Sequence, residues 1–182
     1  LDFLYHLAHY AENNAQSKLL LTGDFNIAPR DEDVWDIEAF RGKTHVTEPE
    51  RAAFQMLLEA GLHQVTHDDQ YSFWDYKSMR FQKNEGMLID FQLATKPLFE
   101  RVEKAYVDVE EREGKGASDH APVIVDYDWS DEELALLSAH DGNPFARWEA
   151  GQELATRQIL ALAEARQPAF QAFGIALILL VW

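Results

Sequence analysis

The chain has no cysteine among its 182 residues. That absence rules out a disulfide framework and any thiolate metal site, and it suits a reducing, cytoplasmic setting. Positive charge is scarce, with 16 Lys and Arg against 32 Asp and Glu and a formal net charge of −16. Such a surface repels a duplex backbone unless basic residues cluster or cations intervene, which argues against generic, salt-driven nucleic-acid binding. All Lys and Arg except Arg147, Arg157 and Arg166 precede Asp128, so the first two-thirds can still present a basic face. Long apolar runs are missing too: the terminal "FGIALILLVW" falls short of the about 20 residues a membrane-spanning helix needs, and reads as a buried element or an aggregation-prone end. No membrane association is expected. No H-E-x-x-H occurs, so a helix-borne zinc peptidase site is not implied. No basic n-region or cleavage site opens the chain. It starts at Leu1, already inside a helical pattern, and reads as a piece of something longer.

What is present suffices for one globular domain with an appendage, since 47% of residues are hydrophobic. Helix and strand alternate to about Tyr127, and helix follows. Leu1, Leu4, Leu7 and Ala8 recur at helical spacing, and "KLLLTGDFN" reads as a buried strand ending in a turn that Gly23 permits. "DEDVWDIEAFRGK" has no sustained period and reads as loop with a short helical turn. Thr47, Pro49 and Glu50 predict a capped helix running to about Ala60 and stopped by Gly61. "LHQVT", "YSFW", "MLIDFQLAT", "AYVDV" and "APVIVDY" are the remaining predicted strands, which makes the architecture layered α/β.

Four polar positions stand out. Asp24 and Asn26 close the first strand two residues apart, so their side chains can point the same way. Asp90 sits inside an apolar run, where an unpaired carboxylate is costly and a partner is required. Asp119 and His120 precede the last strand. Carboxylates, an amide and an imidazole at strand ends suit metal-assisted phosphodiester hydrolysis. Oxygen ligands fit Mg²⁺, a carboxylate can take a proton from the attacking water, and a His held by an Asp can stabilise charge on the phosphate. Each signal also has a plainer reading: turn chemistry at Asp24 and Asn26, backbone capping by Asp90, a structural Asp-His pair.

The segments "LLLTGDFNIAP", "TEPERAAFQMLLEAGLHQV", "YSFWDYKSMRFQKNEGMLIDFQLAT" and "SDHAPV" together resemble the C-terminal half of exodeoxyribonuclease III, in the endonuclease/exonuclease/phosphatase superfamily. "GDFN" and "SDH" point only to the superfamily, whereas "TEPERAAF" and "FWDYK" narrow the match and disfavour a small-phosphoester phosphatase. The resemblance implies half of a four-layer α/β/β/α sandwich over residues 1–127. It implies an enzyme that hydrolyses DNA with Mg²⁺, or Mn²⁺, removing 3′ nucleotides and cleaving duplexes at abasic sites. Asp24 would orient or deprotonate the water and Asn26 would position the phosphate. His120, paired with Asp90, would contact a non-bridging oxygen, and Asp119 would lie on the metal side with Asp24 and Asn26. Trp74 matches an aromatic beside the pocket for an abasic deoxyribose, whose plainer reading is a core side chain, and Lys77, Arg80 and Lys83 would lie near the DNA backbone. Leu88 stands where the family usually has a basic residue. The early Asn and Glu that anchor the family's metal have no counterpart in Leu1–Ser17, so the resemblance implies an incomplete site, little activity for the chain alone, and an apolar sheet face left uncovered.

Residues 128–182 read differently. "YDWSDEELALLSAHDGNPFARWEAGQELATRQIL" resembles a stretch of bacterial aminopeptidase N that carries none of the zinc site. Ser130 and Glu133 form a capping box for a helix to about His140, a helix-terminal residue; Asn143-Pro144 starts the next helix, expected to bury Phe145, Trp148 and Leu154. "APVIVDY" would serve as a strand in either family and is the expected junction. The alternative to a nuclease is therefore a non-catalytic chimera with a helical packing or interaction tail.

Overall fold

The computed structural model describes residues 1–65 and 70–171, so Thr66 of the "LHQVT" strand and the terminal "FGIALILLVW" lie outside the described residues. The chain forms two compact units, Leu1–Asp128 and a second that begins at Trp129. Among the described residues no helix is long and apolar enough to cross a membrane.

In the first unit, helix α1 (Asp2–Asn13) carries Leu4, Leu7, Ala8 and Ala11 on one face. Strand β1 (Leu20–Asp24) follows, then the four-residue α2 (Ile37–Phe40) and α3 (Glu48–Glu59). The start of α3 is local chemistry: the Glu50 carboxylate accepts from the backbone N–H of Thr47 at 3.0 Å and from its hydroxyl at 2.5 Å. Strand β2 (Leu62–Val65) leaves α3 through Gly61 at φ 93°, a conformation that glycine adopts without strain. Strand β3 (Asp90–Thr95) is central in a three-stranded antiparallel sheet of order β1-β3-β2. Its register pairs Asp24 with Asp90 and Thr22 with Gln92. Phe91 and Leu93 point to α1 and α3 and share one core with Leu21, Phe54 and Leu57. The one-turn α4 (Lys96–Phe99) leads to β4 (Val102–Val107), which pairs antiparallel with β5 (Val123–Tyr127).

The other face of the sheet is covered differently from the expectation. Among the described residues, the exposed large apolar side chains lie on none of β1–β5. Ala94 and Val65 pack with Leu98, Val102, Ala105 and Val125, and the row beside them is polar: Thr22 pairs with Gln92, whose amide donates to the Val123 carbonyl at 3.0 Å.

Two predicted strands are shorter than their apolar pattern. "YSFW" makes only isolated bridges, because its donors go to different partners: Ser72 and Phe73 N–H to the Met87 carbonyl, Trp74 N–H to that of Asp119. β3 begins at Asp90 rather than Met87, since Leu88 N–H bonds Asp33 and Ile89 N–H bonds the Ser72 hydroxyl. β4 begins at Val102, before the predicted Ala105.

In the second unit, α5 (Asp131–His140) opens on the expected box, with Ser130 Oγ accepting from Glu133 N–H and the Glu133 carboxylate accepting from Ser130 N–H. Helix α6 (Pro144–Gln171) starts after Asn143, whose side-chain oxygen accepts from Phe145 N–H at 2.9 Å. Leu134 and Ala150 are buried, and a Cβ on Gly151 would lie 3.0 Å from Ser138 Oγ, so the helices approach closely there. This corrects the expected burial of Phe145 and Trp148. They are 63% and 60% exposed, packed ring against ring at 5.8 Å, while the inward face is Ala146, Ala150, Leu154 and Arg157.

Candidate active site

Antiparallel pairing puts Asp24, the last residue of β1, directly across from Asp90, the first of β3. Two carboxylates facing each other repel, so the position favours a bound cation. Phe25 turns into the core against Phe54 and Phe91, which leaves Asp24 and Asn26 on the solvent side. Asn26 is at φ 54°, and Gly23, within β1 opposite Phe91, is at φ 153°, a conformation that a side chain rarely adopts. The chain turns out of the strand at Asn26, after Gly23 has bent it. This conformation folds Asn26 back onto Asp24. Its backbone N–H donates to Oδ1 at 2.8 Å and its Nδ2 to Oδ2 at 2.7 Å. The amide oxygen is left turned away from the carboxylate. His45 supports the turn, with its Nδ1 2.7 Å from the Asn26 carbonyl.

Asp90 has the partner its position demands, and more. Its Oδ2 accepts from Ser72 Oγ at 2.6 Å and lies 2.8 Å from His120 Nδ1. Ser72 is fully buried, and its oxygen accepts two backbone N–H groups, from Ile89 and Asp90, at 3.2 Å each. With both lone pairs occupied, the hydroxyl proton has one direction left, toward Asp90, which therefore acts as an acceptor. An acceptor carboxylate at Nδ1 assigns that nitrogen the imidazole proton and turns Nε2 away from Asp90. His120 is also held through its N–H to Ser118 Oγ at 3.0 Å and against the Phe73 ring at 4.9 Å. One ligand atom each from Asp24, Asp90 and His120 lie within 4.8 Å of one another, a group that could hold a metal ion.

The remaining sequence expectations divide. Asp119 does not join that cluster; its carbonyl accepts from Trp74 N–H at 2.9 Å. Trp74 is 2% exposed, packed with Val107 and Ala121 and donating from Nε1 to Asn84 at 3.2 Å, so its core reading holds and it presents no face to a substrate. A Cβ on Gly86 would lie 2.5 Å from Trp74 Nε1, so the indole requires a glycine beside it. The aromatic on the open side is Phe73, which with Trp35, Phe40, His45, Arg80 and Met87 lines a groove of about 330 Å³. Lys77 is exposed; Arg80 is half-buried, paired with Glu85 at 2.9 Å and stacked over Trp35. Leu88 is a core residue. Ser72, Phe73 and His45 were absent from the sequence expectations. The alternation in "YSFW", with Ser72 and Trp74 buried and Phe73 only half-buried, was the one available signal.

Over 128 residues the chain is 31% identical to exodeoxyribonuclease III of Haemophilus influenzae, covering 64% of this chain and 48% of that protein. It thus spans about half the length of the exodeoxyribonucleases it matches. The structure of the 3′ phosphatase NExo from Neisseria bound to a product DNA hairpin superposes with a TM-score of 0.65 at 34% identity, covering 70% of this chain and 52% of that one. The architecture is accordingly α/β, half of the layered sandwich, followed by a helical region. Toward the C-terminus, 34 residues are 50% identical to aminopeptidase N of Escherichia coli, 19% of this chain and 4% of that protein. Residues 131–178 match a domain of unknown function with ARM repeats. Residues 2–120 match the Endonuclease/Exonuclease/phosphatase family, and the chain belongs to that family.

Proposed function

We propose that the site is that of a metal-dependent phosphodiester hydrolase acting on DNA. The convergence of Asp24, Asp90 and His120 within 4.8 Å carries this reading. Asp24, fixed by Asn26, orients the attacking water and accepts its proton. The Asn26 amide positions the phosphate. His120 directs Nε2 at a non-bridging oxygen, with Asp90 setting its orientation and Ser72 holding Asp90 in place. The donor set fits Mg²⁺ or Mn²⁺, because the Asp24 and Asp90 carboxylates are hard oxygen ligands that face each other. A bound ion would supply charge neutralisation on the phosphate and polarise its oxygen. Phe73 takes the place first expected of Trp74 beside the deoxyribose, and double-stranded DNA with abasic sites or 3′ ends is the proposed substrate.

Cleavage of a duplex containing one abasic analogue, with and without Mg²⁺, tests the reading, with Asp24→Ala as control. Cleavage is expected to be weak, because the chain spans about half the length of the relatives it matches, and to need both the metal and Asp24. Without it, the chain is a non-catalytic module whose helical tail is its interaction element.

A further inference from the structure

Arg112, on a short 3-10 turn before β5, is 6% exposed. Its Nη2 donates to the Trp74 carbonyl at 3.1 Å, and its guanidinium lies over the rings of Tyr76 and Phe81, 5.1 and 4.9 Å from their centres. Its Nε is buried without a partner, and among the described residues no carboxylate pairs with it. In a chain with twice as many acids as bases this is unusual. Arg30, Arg41, Arg51 and Arg80 all meet an Asp or Glu. A buried cation with no counter-charge is costly unless an anion arrives to compensate it.

There is room for one. Arg112 lines a cavity of about 200 Å³ together with Tyr76, Arg80, Gly116 and Asp75. Asp75, the one carboxylate on its wall, has an oxygen engaged by Lys77 N–H at 2.9 Å. Lys77 and Lys115 stand exposed in the segments that form the rim. The cavity shares Asp75 and Arg80 with the groove lined by Phe73 and His45. That groove borders the active site through the Phe73 contact with His120 and the His45 contact with Asn26.

We propose that the Arg112 cavity is an oxyanion subsite that takes a phosphate group. Guanidinium planes pair with phosphate oxygens through parallel N–H donors, and the flanking Tyr76 and Phe81 faces hold the plane in place. If the proposed hydrolase function is right, the phosphate belongs to the strand whose neighbouring phosphodiester lies at His120, and that assignment of source rests on that reading. The oxyanion chemistry does not.

The test is an NMR titration of the full chain, with sodium phosphate in one arm and a thymidine trinucleotide in the other, at ionic strength fixed with sodium chloride. The guanidinium signal of Arg112, assigned by through-bond connection to its backbone, is expected to move saturably in at least one arm, while that of the exposed Arg41 does not. Movement with the trinucleotide alone identifies strand phosphate, and movement with inorganic phosphate alone identifies a free anion. Arg112→Lys should weaken binding about tenfold, read on the Gly116 amide, because a point charge replaces a planar fork. No saturable movement in either arm overturns the proposal, and that result needs only the unsubstituted protein. Asp24→Asn should abolish cleavage while leaving the titration unchanged, so the hydrolase reading and the subsite fail separately.

Discussion

His120 Nδ1 lies 2.8 Å from Asp90 Oδ2, and that same oxygen accepts the Ser72 hydroxyl at 2.6 Å. The carboxylate is therefore held from behind by a buried serine while it orients the imidazole in front. Each member of this chain has a separable role.

Asp90→Asn keeps the size of the side chain but can present an N–H to Nδ1, which would turn the imidazole proton to the other nitrogen. Cleavage should fall by roughly 10²–10⁴-fold, the range for loss of a positioned proton-handling group. Chemical denaturation should show a much smaller change. A variant with near-parental turnover would remove His120 from the mechanism.

Ser72→Ala leaves the Ile89 and Asp90 N–H groups without their acceptor in a buried position. A stability loss of about 1–3 kcal/mol is expected from urea unfolding. Turnover should fall more than KM rises, because Ser72 reaches the substrate only through Asp90. Equal effects on both would mean that Ser72 supports the fold alone.

Phe73 and Trp74 are adjacent and face opposite ways. Phe73→Ala should weaken substrate binding with little loss of stability. Trp74→Ala should cost about 3–5 kcal/mol as a cavity in a packed core. The reverse outcome would exchange their assignments.

Glu50 offers a pH test of the α3 cap. Burial raises its carboxyl, but hydrogen bonds from the Thr47 hydroxyl and from the Thr47 and His45 backbones outweigh burial and hold it below the ordinary carboxylate range. A depressed value means that the stabilisation is present above the unfolded-state pKa and is lost as pH falls through the folded one. Glu50→Gln should therefore cost about 0.5–2 kcal/mol at neutral pH, and the gap from the parent should close below about pH 4.5. A gap independent of pH would refute a charged cap.

Legibility followed the range of the interaction. The boxes at Thr47–Glu50 and Ser130–Glu133 form between residues three apart, so their helices could be placed from the letters alone. Asp24 with Asn26, and His120 before β5, were also legible, because a polar residue at the edge of an apolar run is a local pattern, whereas Asp119 does not join the cluster. Phe145 and Trp148 were misassigned for the complementary reason: their apolar character is local, but which stripe of α6 faces α5 depends on where Ser138 and Gly151 meet.

The chemistry was written along the chain, in which carboxylates, amide and imidazole it carries and in the turns that expose them. Their meeting was not. Asp24 faces Asp90 across 65 intervening positions of sequence because β1 and β3 pair in one register, and a shift of one residue would send every side chain to the other face. Ser72 finds Asp90, and Trp74 rather than Phe73 enters the core, because their segment bridges Met87 on one side and Asp119 on the other. Hydrogen-bond partners so distant in sequence are selected by the packing of the whole unit, and no local spacing encodes them.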